Sequence, residues 1–170
     1  MRRIVTMDKA LDNVQSAIEK FMKKLDETEK KITQIEAKLQ DVRKELEPLE
    51  VQILEVSGKL RETEHALHQK LNKVKRVRKL YLNAKTDRQL KMYEKDYNQL
   101  MKEVHKLDKE YTELKEQYQK LVDKEEKLLQ KEMELEEKKA ELYHEREKLM
   151  KHAEQIMGSL SNKINRTRNS

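Results

Sequence analysis

The chain has 170 residues, of which 42% are charged and 35% apolar, with two Gly, one Pro, one Phe and neither Trp nor Cys. A compact domain of this length needs a larger apolar share to close its core, and without cysteine there can be no disulfide and no Cys-ligated zinc or iron–sulfur site. The formal net charge is +6, so any partner drawn in by electrostatics is expected to be acidic or a phosphate backbone.

The first residues, Met-Arg-Arg-Ile-Val-Thr-Met-Asp, are basic but lack the apolar core of a secretory signal, and no run approaches the length of a membrane span. A cytoplasmic protein is expected. From residue 4 onward the apolar residues recur at alternating steps of three and four. With heptad positions lettered a to g, the a positions are Ile4, Leu11, Ile18, Leu25, Ile32, Leu39, Leu46, Ile53, Leu60, Leu67, Val74 and Tyr81. The d positions run from Met7 and Val14 through Phe21, Thr28, Ile35, Val42, Leu49, Val56, Thr63, Lys70 and Val77 to Ala84. This period predicts a first coiled-coil arm over residues 1–84. Disordered chains of similar charge lack such a period. Pro48 and Gly58 fall at outward positions c and f, so a bend in one continuous helix is expected near them.

At Lys85-Thr86-Asp87-Arg88-Gln89 the pattern changes phase: the first frame would put its next a position at Arg88, whereas the second frame puts it at Leu90. Thr86-Asp87-Arg88-Gln89 also has the S/T-x-x-E/Q form of a helix-capping box. Both features predict a turn at residues 85–89 and a long antiparallel helical hairpin, all-α. Its apolar layers would join residues whose numbers total about 174, such as Leu60 with Leu114, Leu39 with Leu135 and Leu25 with Leu149.

The second arm is expected over residues 90–158. Its d positions are Tyr93, Leu100, Leu107, Leu114, Leu121, Leu128, Leu135, Leu142, Leu149 and Ile156, while its a positions turn polar at Glu125, Glu132, Lys139 and Arg146. Opposite these, Leu49, Val42, Ile35 and Thr28 are expected not to close a tight two-stranded seam. The neighbouring e positions Val122, Leu129, Tyr143, Met150 and Met157 would then form an apolar stripe that binds a partner or a second copy of the chain, unless the arms rotate to bury it. Gly158 is expected to stop the helix, leaving a frayed basic tail at residues 159–170.

Between Lys70 and Lys95 ten Lys or Arg stand against Asp87 and Glu94, a net +8 that leaves −2 for the remainder. The basic residues Lys73, Lys75, Arg76, Arg78, Lys79, Lys85, Arg88 and Lys91 therefore mark the hairpin tip as the first candidate site. It could hold an acidic protein surface or a nucleic-acid backbone, or simply be a solvated end. The five His are scattered; His65 and His68 alone are too few ligands for zinc, so no metal or cofactor is expected. A two-helix seam offers no closed pocket to tune a catalytic carboxylate or hold a small substrate, and glycine-rich phosphate loops are missing. The expected role is therefore non-enzymatic: an adaptor or scaffold acting through protein contacts, with nucleic-acid binding at the tip or a passive spacer rod as alternatives.

The mid-chain run Tyr81-Leu82-Asn83-Ala84-Lys85-Thr86-Asp87-Arg88-Gln89-Leu90 resembles a bacterial coiled-coil family with a Lys-Ser/Thr-x-Arg-Glu-Leu/Tyr-like motif near its hairpin bend. Here Gln89 stands where the motif has Glu. In that family a four-cysteine zinc ribbon follows the hairpin, which has no counterpart in this cysteine-free sequence. The resemblance implies an adaptor associated with flagellar or type III secretion components, or in some members with RNA. In shape alone the chain is also similar to stalk proteins that insert a basic helical hairpin into a secretion ATPase.

Overall fold

A computed structural model describes the backbone of residues 2–168 and the side chains of residues 8–168. The side chains of Ile4 and Met7, the first two seam positions, lie outside the described residues, as do the last two residues of the expected tail. Two helices account for almost everything: α1, Arg2–Leu82, and α2, Asp87–Arg168, of 81 and 82 residues. They pack against each other as the antiparallel hairpin that the phase break predicts. Helices of this length come from the near absence of breakers, and their pairing from the seven-residue apolar period.

The connection takes up residues 83–86, slightly before the expected 85–89, because Asp87, Arg88 and Gln89 already form the first turn of α2. The capping box explains the early start. The Gln89 backbone N–H donates to Thr86 Oγ1 at 3.2 Å, and the Gln89 side-chain oxygen accepts from the Lys85 N–H at 3.3 Å. Thr86 thus satisfies one of the orphan donors at the helix start, and Asp87 places a negative charge at the positive end of the dipole. At the end of α1, Asn83 N–H still reaches the Lys79 carbonyl at 3.1 Å, and Ala84 N–H bonds Tyr81 in a tighter turn at 3.3 Å.

Pro48 sits inside α1. It has no N–H to give and crowds the carbonyl four residues back, a cost of roughly 3 kcal/mol. The helix nevertheless runs unbroken through it, and Leu46 and Leu49 beside it are 6% and 5% exposed. Burial of these flanking leucines, on the order of 1.5–3 kcal/mol each, offsets the local cost. At the other end the expected stop at Gly158 is absent. α2 continues through Gly158 to Arg168, with no positive φ among the described residues, so the expected frayed tail at 159–170 is helical as far as it is described. Leu160 stays half-buried on the seam, and Arg166 and Arg168 place cations at the negative end of the dipole.

The chain divides into two packed units, one of residues 44–129, containing the turn, and one of residues 1–43 with 130–170, containing both ends. Each joins a length of α1 to a length of α2. In the turn unit, Lys70 meets Glu103 at 2.7 Å, and these numbers total 173. In the terminal unit, Glu36 meets Lys139 and Arg43 meets Glu132, each pair totalling 175. Both agree with the register expected from the apolar layers. The accessible surface is 14536 Å², against about 8,900 Å² for a compact monomer of this mass. Burial is confined to the seam.

Candidate docking surfaces

In the turn unit Leu46, Leu49, Val56 and Val104 of the seam are buried, while nearer the turn Leu60, Leu67, Val74, Val77, Leu100, Leu107 and Leu114 are half-buried. Lys70 occupies a d position that the period would fill with an apolar residue. Its stem stays on the seam while its ammonium reaches Glu103 on α2. That hydrogen bond holds the Glu103 carboxyl below its ordinary value of 4.5, against a smaller opposing effect of burial.

The eight basic residues expected to mark the tip are all exposed, and none of their side chains enters an ion pair among the described residues. They are not all on one side. The g and c positions Lys73 and Arg76 line an open groove of about 360 Å³ with Asp96 and Gln99, over Val77 and Leu100. On the opposite side, Arg78 lines a groove of about 490 Å³ with Tyr81, Leu82, Glu94, Tyr97 and Asn98. Lys79 and Arg88 point outward at f positions.

Apolar side chains stand among these cations, and sequence reasoning missed them. Leu82 is 73% exposed, Met92 51%, Leu80 48% and Tyr81 42%. Tyr81 was assigned to the seam as its last a position, but the helix ends one residue later and leaves the ring uncovered. Leu80 and Leu82 were legible as apolar residues off the a/d frame, and so was Met92.

The terminal unit shows a correction. The residues facing the polar a positions of α2 were expected to pack loosely, yet three of the four are among the best buried of all: Thr28 is 5% exposed, Val42 3% and, in the turn unit opposite Glu125, Leu49 5%, while Ile35 opposite Lys139 is half-buried. Long charged side chains cover apolar surface with their stems while their heads reach sideways. Here two of the heads, Glu132 and Lys139, find partners at e positions of α1. Arg43 pairs with Glu136 at 2.6 Å and Glu132 at 4.0 Å, and Glu36 pairs with Lys139 at 3.9 Å. Thr28 returns its hydroxyl to the Lys24 carbonyl at 2.9 Å and so costs nothing unsatisfied.

The expected apolar stripe is divided by these contacts. Val122 and Tyr143 are half-buried. Tyr143 donates its hydroxyl to Glu36 at 2.6 Å, and its ring lies 4.7 Å from the Arg146 guanidinium and 5.7 Å from the Lys139 ammonium. The bond to Glu36 raises the phenol above its ordinary value of 10.0, with burial acting in the same direction. Tyr143 is therefore already engaged within the hairpin. Leu129, Met150 and Met157 remain uncovered at 45%, 52% and 67%.

Among the described residues no helix is long and apolar enough to cross a membrane, and no group of three or more His, Asp or Glu could hold a metal ion. Comparison with protein-family models, with curated proteins and with solved structures yields no match to this chain.

Proposed function

We propose that this chain is a non-enzymatic adaptor or scaffold that docks an acidic protein surface on the tip of its helical hairpin. One observation carries the reading: eight unpaired cations surround exposed Leu80, Leu82, Met92 and Tyr81 at the turn. Cations alone would suit a phosphate backbone equally well. Leucine and methionine gain nothing from a phosphate backbone, whereas protein interfaces bury apolar, Tyr and Arg side chains at their centres inside a polar rim. Rigid helices also present these groups without the ordering cost of a loop. The similarity of the turn motif to the zinc-ribbon hairpin family supports the same class of role. We place the protein in the cytoplasm, a setting that a cysteine-free chain fits.

A photo-crosslinking residue in place of Leu82, introduced in the native cell, tests this. The expected result is a discrete protein adduct that disappears when Arg76, Arg78, Lys79 and Arg88 are changed to Glu. Adducts only to RNA or DNA, together with a salt-dependent gel shift lost in the same variant, would establish the nucleic-acid alternative. Co-sedimentation with anionic vesicles, lost on Leu82→Asp, would instead make the tip a lipid-surface contact.

A further inference from the structure

The seam of the terminal unit loosens toward the chain ends. Leu11 and Ile18 occupy a positions, where Ile32 and Leu39 are buried, yet they are 61% and 40% exposed. Between the helices there lies a hollow of about 280 Å³, lined solely by apolar side chains, among them Val14, Ile18, Phe21, Met22, Ile156 and Met157. Along one margin the apolar surface continues as a row of e positions. Met22 on α1 and Met150, Met157 and Ile164 on α2 are 62%, 52%, 67% and 51% exposed.

The b positions beside this margin carry charges of one sign. On the same side, the b positions are Asp12, Glu19 and Asp26 on α1 and Glu147 and Glu154 on α2, all exposed. Between residues 8 and 26 of α1 and between 143 and 164 of α2, no Lys or Arg stands at any e or b position. Arg146 and Lys151 border the margin at Met150, beside Glu147 and Glu154, and the other lysines of these segments are elsewhere around the helices. Asp26 and Glu147 reach Lys30 and Lys151 on their own helices at 3.2 and 3.5 Å. Asp12, Glu19 and Glu154 have no ion-pair partner among the described residues.

We propose that this methionine-lined, acid-rimmed groove receives a basic amphipathic helix from a partner protein. A helix satisfies its own backbone groups and needs only an apolar stripe at i, i+3 or i+4 and i+7, which a row of side chains seven residues apart can match. Methionine adapts its shape to such a stripe. Lys and Arg beside the stripe would face the acidic rim, which selects the sign of the partner. A second copy meeting this one through the same face about a two-fold axis would bring acid against acid. A partner bound here, under the adaptor role proposed above, would be opposite in charge to the one expected at the tip.

The probe is a three-heptad fluorescent peptide with Leu at the stripe positions and Lys or Arg elsewhere, titrated by anisotropy into the full chain. Its twin carries Glu in place of every Lys and Arg. The basic peptide is expected to bind the groove, and any binding of the acidic twin, which the tip would take, is expected to be unmoved by substitutions in the groove. Met157→Asp, and separately Glu19→Lys with Glu154→Lys, are each expected to weaken binding at least about tenfold with helical circular dichroism unchanged. Reversal of Arg76, Arg78, Lys79 and Arg88 to Glu is expected to leave this binding intact, so the groove and the tip can fail independently. The proposal is overturned if the basic peptide does not bind, if it binds both groove variants as tightly as the parent, or if Met157→Asp weakens the twin's binding as much as the basic peptide's. It is also overturned if sedimentation equilibrium shows a dimer that Met157→Asp dissociates, since a second copy would then occupy the groove.

Discussion

The turn unit and the terminal unit fill the same heptad frame with opposite choices. In the turn unit the a positions of α2 are Leu90, Tyr97, Val104, Tyr111, Tyr118 and, at its far end, Glu125; in the terminal unit they are Glu132, Lys139 and Arg146, before Ala153 and Leu160. Hydrophobicity alone would make the first seam the tighter one. Yet Leu39 and Val42 of the terminal unit are 1% and 3% exposed, at least as well buried as Leu46 and Leu49 of the turn unit, while Leu67, Val74, Leu100 and Leu107 nearer the turn are only half-buried. A charged residue on a long stem can close a two-helix seam when the facing helix offers its head a partner one position aside, as Glu36 and Arg43 do. The a positions of α1 in the same unit set the limit of this effect. Toward the chain ends no such cross-helix pairs are formed among the described residues, and Leu11 and Ile18 lie open.

The largest expected effect lies at the best-sealed point. Leu39→Ala should cost about 2–5 kcal/mol in chemical denaturation, because a cavity opens where nothing else can reach. Leu11→Ala, at a position identical in the heptad, should stay within about 0.5 kcal/mol. Equal costs would mean that the terminal seam closes along its whole length. Next comes the covering role of charged stems. Arg146→Ser should destabilise by about 1 kcal/mol through lost packing over Tyr143 and the seam, whereas Arg78→Ser at the tip should change stability by less than about 0.5 kcal/mol. The same unfolding curves measure both.

Much of the fold was legible because it depends on spacing. The register that joins Leu39 to Leu135 and Ile32 to Leu142 followed from the a and d columns, and the ion pair between Lys70 and Glu103 falls on it. Thr86 and Gln89 marked the new helix by side-chain chemistry. Side-chain reach is a different matter. Whether Glu132, Lys139 and Arg146 would splay the arms or cover them depends on where their heads find partners: those of Glu132 and Lys139 lie on the other helix, and that of Arg146 is Tyr143 on its own. The e positions Glu36 and Arg43 carried that signal, but it becomes readable only once the register is applied to e as well as to a and d. At the tip the cations were plain from composition. The exposed Leu80, Leu82 and Met92 were not, since off-frame apolar residues are common on any helix.

Gly158 tests the boundary that sequence reasoning misplaced furthest. A Cβ there would meet nothing within 4 Å, so in a continuous helix Gly158→Ala should stabilise the chain by about 1 kcal/mol. Loss of stability would mean that the glycine ends α2 in a left-handed turn after all.

The smallest effects are those of pH. Glu103 has a lowered value through its bond to Lys70, so its contribution is complete above pH 4.5 and is lost as the pH falls through the lowered value. Tyr143 has a raised value through its bond to Glu36, so its contribution is complete below pH 10.0 and is lost as the pH rises through the raised value. Glu103→Gln should flatten the acid limb of a thermal-stability profile and Tyr143→Phe the alkaline limb. Swapped assignments would contradict the two cross-helix bonds.

The central claim is that the two units offer docking surfaces of opposite sign, each with its own apolar residues. A single titration matrix tests it most directly, with the basic amphipathic peptide and its acidic twin each measured against the parent chain, Met157→Asp and Leu82→Asp. Basic-peptide binding should fall only with Met157→Asp, and acidic-peptide binding only with Leu82→Asp. If both peptides respond to neither substitution, or each to both, the charges attract without a built surface and the account of two docking sites is wrong.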